Sequence, residues 1–485
     1  RSGLPLQETD CVSCGQCVNA CPCGALEAKS EKGKVFRALN DPSKIVVAFV
    51  APAVRSVISS HYSVPFDKAS GFMAGLLKKF GFNKVFDFSF AADLTIVEET
   101  TEFLNRIANK GVMPQFTSCC PGWVNFVERR YPELIPHLST CKSPQQMMGA
   151  TVKNHYAKLA GINKEDLYVV SIVPCIAKKY EAARPEFAPD GIRDVDAVLT
   201  STDMIDMAEL TRIDTSSIEL QEFDKPYRQV TGAGVLFGAS GGVAEAALRM
   251  AVEKLTGKVM TDHLDFEEVR GFAGLKEATV EANGTTVRVA VISGLHNVEP
   301  IVEKIIQGVD VGYDLIEVMA CPGGCICGAG HPVPEKVGTL EQRQQVLINI
   351  DKISTYRKSQ ENPDILNLYK NFYGEANSPL AHKLLHTHYQ PFSGDIRCGS
   401  VRKKANSAFK TRQITICTCD ACSAKGSHEL YASTLEQVKK LKMDSFVEVN
   451  TIRLKETHNG KDIYITLDGQ RIDQTKLENL SINLN

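Results

Sequence analysis

The sequence predicts an α/β protein with mainly parallel sheets, a cysteine-rich segment at its N-terminal end and a small α/β module at its C-terminal end. Three observations support this. From residue 45 to about residue 320, short apolar runs alternate with amphipathic stretches, the rhythm of strand–helix–strand units. The 485 residues suffice for roughly two to four domains. The 16 cysteines are clumped in pairs and triplets, five of them before residue 24 and others at the ends of expected strands.

Composition narrows the function. With 55 basic against 57 acidic residues the net charge is −2, so no basic excess exists to draw the chain to nucleic acid or a membrane surface. A hydrophobic fraction of 43% and a charged fraction of 23% exclude collagen-like or low-complexity chains. The longest apolar run, 45–54, contains Pro52 and falls far short of the ~20 residues a membrane span needs. No secretory signal is visible, and the start at Arg1 rather than Met suggests a missing or processed N-terminus. A chain of this size needs no disulfide staples. Clumped cysteines therefore read as metal ligands in a reducing compartment, the cytoplasm.

The elements follow in order. Residues 1–40 hold Cys11, Cys14, Cys17, Cys21 and Cys23. The apolar run 46–50 reads as a buried strand, followed by strands at 84–88, 113–117, 168–174, 197–200, 287–292 and 315–319. Helical periodicity marks 93–108, 242–254 and 298–306, and 334–390 reads as charged helix. The Ser/Lys/Arg-rich stretch 400–412 reads as linker. Beyond it come a strand at 414–417, a helix at 433–442 and a hairpin turning at His458-Asn459-Gly460. The domain boundaries expected are 1–40, 41–390, a linker at 391–412, and 413–485. No internal repeats are visible.

Cys11-x2-Cys14-x2-Cys17-x3-Cys21-Pro22 has the spacing of bacterial ferredoxins, in which three thiolates two residues apart wrap one face of a 4Fe-4S cubane. Zinc sites rarely use this rhythm. The cysteine before the proline usually serves the second cluster of a pair, so the fourth ligand is open between Cys21 and a cysteine upstream, with Cys23 a further candidate. Three more segments each run from a strand end into a loop: Thr117-Ser118-Cys119-Cys120-Pro121-Gly122-Trp123, Val173-Pro174-Cys175-Ile176-Ala177-Lys178-Lys179, and Glu317-Val318-Met319-Ala320-Cys321-Pro322-Gly323-Gly324-Cys325. Open α/β sheets bind ligands at such ends. Four thiolates from three loops can close a buried cluster site, although unrelated loop cysteines would read the same way.

Together these segments, with Lys142-Ser143-Pro144-Gln145-Gln146 and Phe237-Gly238-Ala239-Ser240-Gly241-Gly242, resemble the signatures of the iron-only (FeFe) hydrogenases over about residues 5–390. The resemblance implies a two-lobed catalytic domain and an H-cluster, a 4Fe-4S cubane joined through one cysteine sulfur to a two-iron unit with CO, cyanide and azadithiolate ligands. It implies cubane ligation by Cys120, Cys175, Cys321 and Cys325, with Cys325 bridging. Lys178 matches the cyanide-binding lysine, and Pro52, Ala53, Gln145, Phe237 and Met319 match positions around the pocket. Cys119 matches the proton-donating cysteine. Glu99, Glu102, Arg106 and Ser139 match a proton relay, and Glu99, Glu102 and Arg106 share one face of the helix 93–108. The chain departs from the family where Ala53 stands for a common Ser and where Gly328-Ala329-Gly330-His331-Pro332 stands for a commoner Gly-Gly-Gly-Gln-Pro; Cys327 has no assigned role.

The function implied is reversible oxidation of H2 to two protons and two electrons, with electrons relayed through 4Fe-4S clusters. Cys417-x4-Cys422 resembles the first half of a thioredoxin-like 2Fe-2S ferredoxin domain, but no cysteine follows Cys422. That leaves a cluster-free docking domain, a 2Fe-2S site completed by Cys419, Cys398 or another subunit, or a zinc or redox site. Such tails resemble those of multi-subunit hydrogenases, which implies ferredoxin or NAD(P)-linked flavin/iron–sulfur subunits as partners, besides maturation proteins. Two alternatives are a hydrogen sensor and a hydrogenase-like iron–sulfur assembly protein that lacks the two-iron unit.

Overall fold

The computed structural model describes residues 6, 9–21, 23–333, 337–392, 412–417, 427–440, 447–452, 465–467 and 470–472. Pro22, residues 400–411 of the expected linker 400–412, Cys398, Cys419, Cys422 and the turn at 458–460 lie outside these residues, and Arg412, the last residue of that stretch, opens a strand instead. The chain divides into two compact units, Arg1–Gly399 and Ser400–Asn485.

The first unit is built on two four-stranded sheets. The first has the order β2-β1-β4-β5, with β1 at Ile45–Val50, β2 at Lys84–Asp87, β4 at Leu167–Val173 and β5 at Ala197–Thr200. All its pairings are parallel, with Ala48 opposite both Val85 and Val170. A parallel sheet covered on both faces needs apolar side chains in both directions, which is why β1 reads as the unbroken run Ile-Val-Val-Ala-Phe-Val and is buried from Val46 onward. The second sheet has the order β3-β8-β7-β6, with β3 at Gln115–Phe116, β6 at Leu275–Ala282, β7 at Thr285–Ser293 and β8 at Leu315–Met319. Here β3, β8 and β7 run parallel, and β6 joins β7 as an antiparallel hairpin.

That hairpin turns on Asn283-Gly284, both at positive φ (51° and 78°), as a two-residue primed turn requires. β6 was not expected from the sequence. It alternates exposed and buried residues instead of forming an apolar run. β3 is shorter than the expected 113–117, because only Gln115 and Phe116 pair with β8 and Pro114 has no amide hydrogen to donate.

The helices that frame the site, in chain order, are α1 (Val54–His61), α2 (Ser89–Ala108), α3 (Pro121–Arg130), α4 (Pro144–Thr151), α5 (Ala177–Ala182), α6 (Gly242–Thr256), α7 (Leu295–Ile306), α8 (Leu340–Ile353) and α9 (Pro379–Leu385). α3 starts with proline in its first turn, where no amide hydrogen is needed. α8 opens on a Thr339/Gln342 capping box. α6 has no side-chain cap of its own. The buried Glu317 of β8 accepts from the Gly241 and Ala244 amides at 2.7 and 2.8 Å and places a carboxylate at the positive end of the helix.

The second unit has a sheet of order β10-β9-β11-β12, with β9 at Arg412–Cys417, β10 at Val447–Ile452, β11 at Ile465–Leu467, β12 at Gln470–Ile472, and α10 at Ser427–Lys440. β10 pairs with β9 in parallel and β11 pairs with β9 antiparallel, so β10 and β11 lie on opposite sides of β9. β12 pairs antiparallel with the other edge of β11.

Candidate functional site

Four loops of the first unit end at one place. Pro52 and Ala53 follow β1, Cys119 and Cys120 follow β3, Cys175 follows β4, and Cys321 and Cys325 follow β8. They line a cavity of ≈ 70 Å3 together with Phe237, Met319 and Lys178. Cys119 and Cys321 are buried; Cys120, Cys175 and Cys325 are half-buried, and part of their exposed surface is the cavity wall itself. Removal from water pushes the Cys175 thiol up to about 12, and Cys321 and Cys325 are raised as well. The charge of Cys120 raises all three further, and that of Cys175 also raises Cys321 and Cys325.

This donor set fits an iron–sulfur cubane. Soft sulfur is the ligand such clusters take, and cationic iron would turn the mutual repulsion of four thiolates into attraction. Donors already face two of the four sulfurs: the Ala320 amide at 3.4 Å from Cys120 Sγ, and Gln16 Nε2 at 2.9 Å from Cys321 Sγ. The Cys321–Cys325 loop is tight enough to exclude a side chain at Gly324, which has φ 85° and where an added β-carbon would lie 2.4 Å from the Ser240 amide nitrogen.

Lys178 reaches the cavity from α5. Its Nζ donates to the Cys119 carbonyl at 3.1 Å and to Glu181 Oε2 at 3.0 Å. Ser143 and Gln145 also donate to Glu181 Oε2, at 2.9 and 3.0 Å. Gln145 therefore stands one layer behind the lysine and does not line the cavity, and its amide oxygen is buried without a partner. Lys179 points elsewhere, to Asp203 at 3.1 Å. His331 is buried with neither ring nitrogen hydrogen-bonded, and burial beside Arg343 holds it well below the usual imidazole range.

A line of polar groups leads from the surface toward Cys119. Arg106 donates to Glu102 Oε1 at 2.6 Å and to the Leu138 carbonyl at 2.7 Å. Ser139 Oγ donates to Glu102 Oε2 at 2.7 Å. One turn back along α2, Glu99 is fully buried and accepts from the Ser118 amide at 3.2 Å. Burial pushes Glu99 up to about 8; the Ser118 amide and Ser139 hydroxyl oppose this, while the Glu102 charge adds to it. The Cys119 thiol is raised by burial and then by the Glu99 charge.

The N-terminal cysteines seat against the same loops. Cys14 is raised by burial and by the charges of Cys11, Cys120 and Cys17. A β-carbon added at Gly122 would lie 3.0 Å from the Ala320 β-carbon, 3.6 Å from that of Cys14 and 4.0 Å from Cys120 Sγ. Gln16, two residues past Cys14, bridges Cys321 Sγ and the Cys327 carbonyl, both at 2.9 Å. Cys21 lies against Cys23, sulfur to sulfur, at 3.7 Å.

Sequence reasoning missed Glu181 and Gln16. The i, i+3 spacing of Lys178 and Glu181 on a helix was a usable signal. The Gln16–Cys321 contact spans 305 residues and left no local trace.

Comparison with known proteins bears on the whole arrangement. Residues 44–329 match the iron only hydrogenase large subunit, C-terminal domain; residues 336–391 match the iron hydrogenase small subunit; residues 5–27 match a 4Fe-4S binding domain. The chain is 45% identical over 394 residues to the NADP-reducing hydrogenase subunit HndD of Solidesulfovibrio fructosivorans, covering 80% of this chain and 67% of that protein. Protein NAR1 of Arabidopsis thaliana is related at 30% identity, over 79% of this chain and 85% of its own length. A structure of apo [FeFe]-hydrogenase HydA1 from Chlamydomonas reinhardtii superposes with a TM-score of 0.66 at 38% identity, covering 74% of this chain and 98% of the other. The matched segments include every loop that reaches the cavity, and the chain belongs to the iron-only (FeFe) hydrogenase family of oxidoreductases.

Proposed function

We propose that this chain is the catalytic subunit of an FeFe hydrogenase, interconverting H2 with two protons and two electrons. The observation that carries the proposal is the meeting, in one cavity, of four thiols, a lysine and a fifth thiol (Cys119) toward which a carboxylate line leads from the surface. The family's H-cluster, when bound, supplies the redox chemistry at which the H–H bond is made or broken. Cys120, Cys175, Cys321 and Cys325 would hold it, Cys325 as the bridging sulfur. Lys178, kept in place by Glu181, would present its ammonium to a cyanide ligand, and Pro52, Ala53, Phe237 and Met319 exclude water from the cavity.

Protons would pass along Arg106 and Glu102, Ser139, Glu99 and Cys119. Near neutral pH a thiol raised this far keeps its proton at Sγ, ready to give. A carboxyl at about 8 is divided between its two forms, so it can both take a proton and give one. Electrons would arrive through a 4Fe-4S cluster on Cys11, Cys14 and Cys17. Cys21, sitting beside Cys23, is the open fourth position.

In domain terms, residues 1–40 carry electrons, 41–390 perform the chemistry, 391–412 link, and 413–485 dock partner subunits. The name of the HndD relative favours an NAD(P)-linked partner. Clumped, unpaired cysteines favour the cytoplasm, and among the described residues no helix is long and apolar enough to cross a membrane.

The test is Cys119→Ser in matured protein. Infrared bands of CO and cyanide and the iron content should persist, while H2 evolution from a reduced artificial donor falls by about 100-fold or more, because a hydroxyl is a far weaker acid than a thiol. Near-wild-type turnover in the variant would refute the relay. Absence of CO and cyanide bands in matured wild type would favour the role of an iron–sulfur assembly protein without the two-iron unit.

A further inference from the structure

The proton line uses Glu102, and Glu102 has two neighbours that the line does not use. Cys141, His386 and Glu102 bring a sulfur, an imidazole nitrogen and a carboxylate oxygen within 4.8 Å of one another. Cys141 Sγ lies 3.9 Å from Glu102 Oε2 and 4.0 Å from His386 Nδ1. Cys141 is fully buried and His386 is 7% exposed. A backbone β-bridge between Cys141 and His386 holds the two side chains side by side.

The imidazole is already oriented. Its Nε2 faces Glu98 Oε2 at 3.0 Å, and Glu98 is anchored by the Tyr369 hydroxyl and, at 2.8 Å, by the Asn377 amide. With Nε2 donating to Glu98, the Nδ1 lone pair points to Thr140 Oγ1 at 2.8 Å and to Cys141. A carboxylate behind the distal ring nitrogen is the support that metal-binding histidines usually have. The charge balance also suits a cation. Glu98 and Glu102 converge here from α2; Arg106 holds the other oxygen of Glu102, and His382 stacks on His386 at 4.0 Å between ring centroids.

We propose that Glu102, Cys141 and His386 form a binding site for a borderline-soft divalent cation of the zinc class, and that a cation held there stops proton delivery by occupying Glu102. One thiol, one imidazole and one carboxylate make a common zinc donor set. Bonds of ~2.0–2.3 Å place tetrahedral ligands roughly 3.3–3.7 Å apart, so the sulfur contacts need to contract by only a few tenths of an ångström. Binding replaces the thiol proton: a Zn–S bond forms, one proton leaves for solvent, and no electron moves. The carboxylate oxygen exchanges the Ser139 hydroxyl for the metal, His386 Nδ1 exchanges the Thr140 hydroxyl for it, and water completes the coordination. The inhibitory half rests on the relay reading above; the metal site does not.

The test adds Zn2+ to the fully iron-loaded protein, removes the excess, counts bound zinc and records zinc K-edge absorption, which the iron clusters do not mask. Wild type should hold one zinc more than Cys141→Ala, with one sulfur at about 2.3 Å and nitrogen or oxygen ligands at about 2.0–2.1 Å. Zinc bound elsewhere, including at cysteines 398–422, is common to both proteins and cancels. The zinc concentration that halves H2 evolution should rise at least tenfold in the variant, each protein measured against its own zinc-free rate. Where Cys141→Ala loses iron, Cys141→Ser gives the same comparison. Equal zinc content and sensitivity in wild type and variant would overturn the site. A one-zinc difference with undiminished wild-type turnover would leave the site standing and overturn the relay through Glu102.

Discussion

At the scale of single residues, Glu99 makes the sharpest forecast. Its carboxyl titrates near 8 in the folded chain against an ordinary 4.5, so between those values the folded state holds a proton that the unfolded state has lost. This group's contribution to stability is therefore intact below about pH 4.5, declines as pH rises, and is lost above about pH 8. Glu99→Gln keeps an oxygen for the Ser118 amide and removes the charge. In cluster-free protein the variant should match wild type at pH 5 and exceed it at pH 9 by a few kcal/mol, on the order of 1.4 kcal/mol per pH unit spanned. Thermal midpoints at the two pH values check this, and a constant gap would refute it. In matured protein the same variant should lose most turnover, since an amide cannot shuttle a proton. Which residues were legible follows from how each acts. The cysteines proposed to hold the cubane sit in local signatures at strand ends, where the sheet topology puts ligand groups. Glu181, Gln16 and His386 act across the fold, and ordinary helix or loop residues carry no mark of a partner met only after folding.

At the scale of elements, two glycines with positive φ separate conformational strain from steric exclusion. At Gly284, in the β6–β7 turn, an added β-carbon meets nothing within 4 Å. Gly284→Ala should cost only about 1 kcal/mol of stability, through the left-handed backbone alone, and should leave iron content unchanged. At Gly324 the same atom would strike the Ser240 amide, so Gly324→Ala should displace the Cys321–Cys325 loop and cost the catalytic domain its cluster. Iron analysis beside denaturation midpoints distinguishes the two outcomes. The parallel strands were legible because burial on both faces demands unbroken apolar runs. β6 escaped because it is an edge strand with one wet face, and its alternation Leu-Lys-Glu-Ala-Thr-Val-Glu-Ala looks unlike a core strand. The Asn283-Gly284 pair between two alternating segments was the available hairpin signal.

At the scale of the whole molecule, every group lining the cavity or proposed for the proton line belongs to the first unit. Removing residues 400–485 should leave H2 evolution from an artificial donor within about two-fold of the full chain, while electron exchange with partner subunits suffers. Loss of donor-driven turnover would make the second unit part of the catalytic body. The N-terminal cysteines behave differently. Cys14→Ala should remove one 4Fe-4S signal from the EPR spectrum, leave the CO and cyanide bands, and lower donor-driven turnover at least several-fold. Cys21→Ala should spare that cluster if Cys21 serves a neighbouring one and degrade it if Cys21 is the fourth ligand, which iron counting resolves. The α/β class was readable from periodicity. The strand order was not, because β1 between β2 and β4 and β7 beside β8 are choices made by long-range packing.

The missing side chain at Gly122 has an electrical consequence. Because Gly122 lies between Cys14 and Cys120, and Gln16 touches Cys321 Sγ, the two clusters proposed for these cysteines would share one low-dielectric neighbourhood. Charge added to either must raise the cost of charging the other. The pair would then fill one electron at a time, at two separated potentials, and behave less as a wire feeding a catalyst than as a two-compartment capacitor.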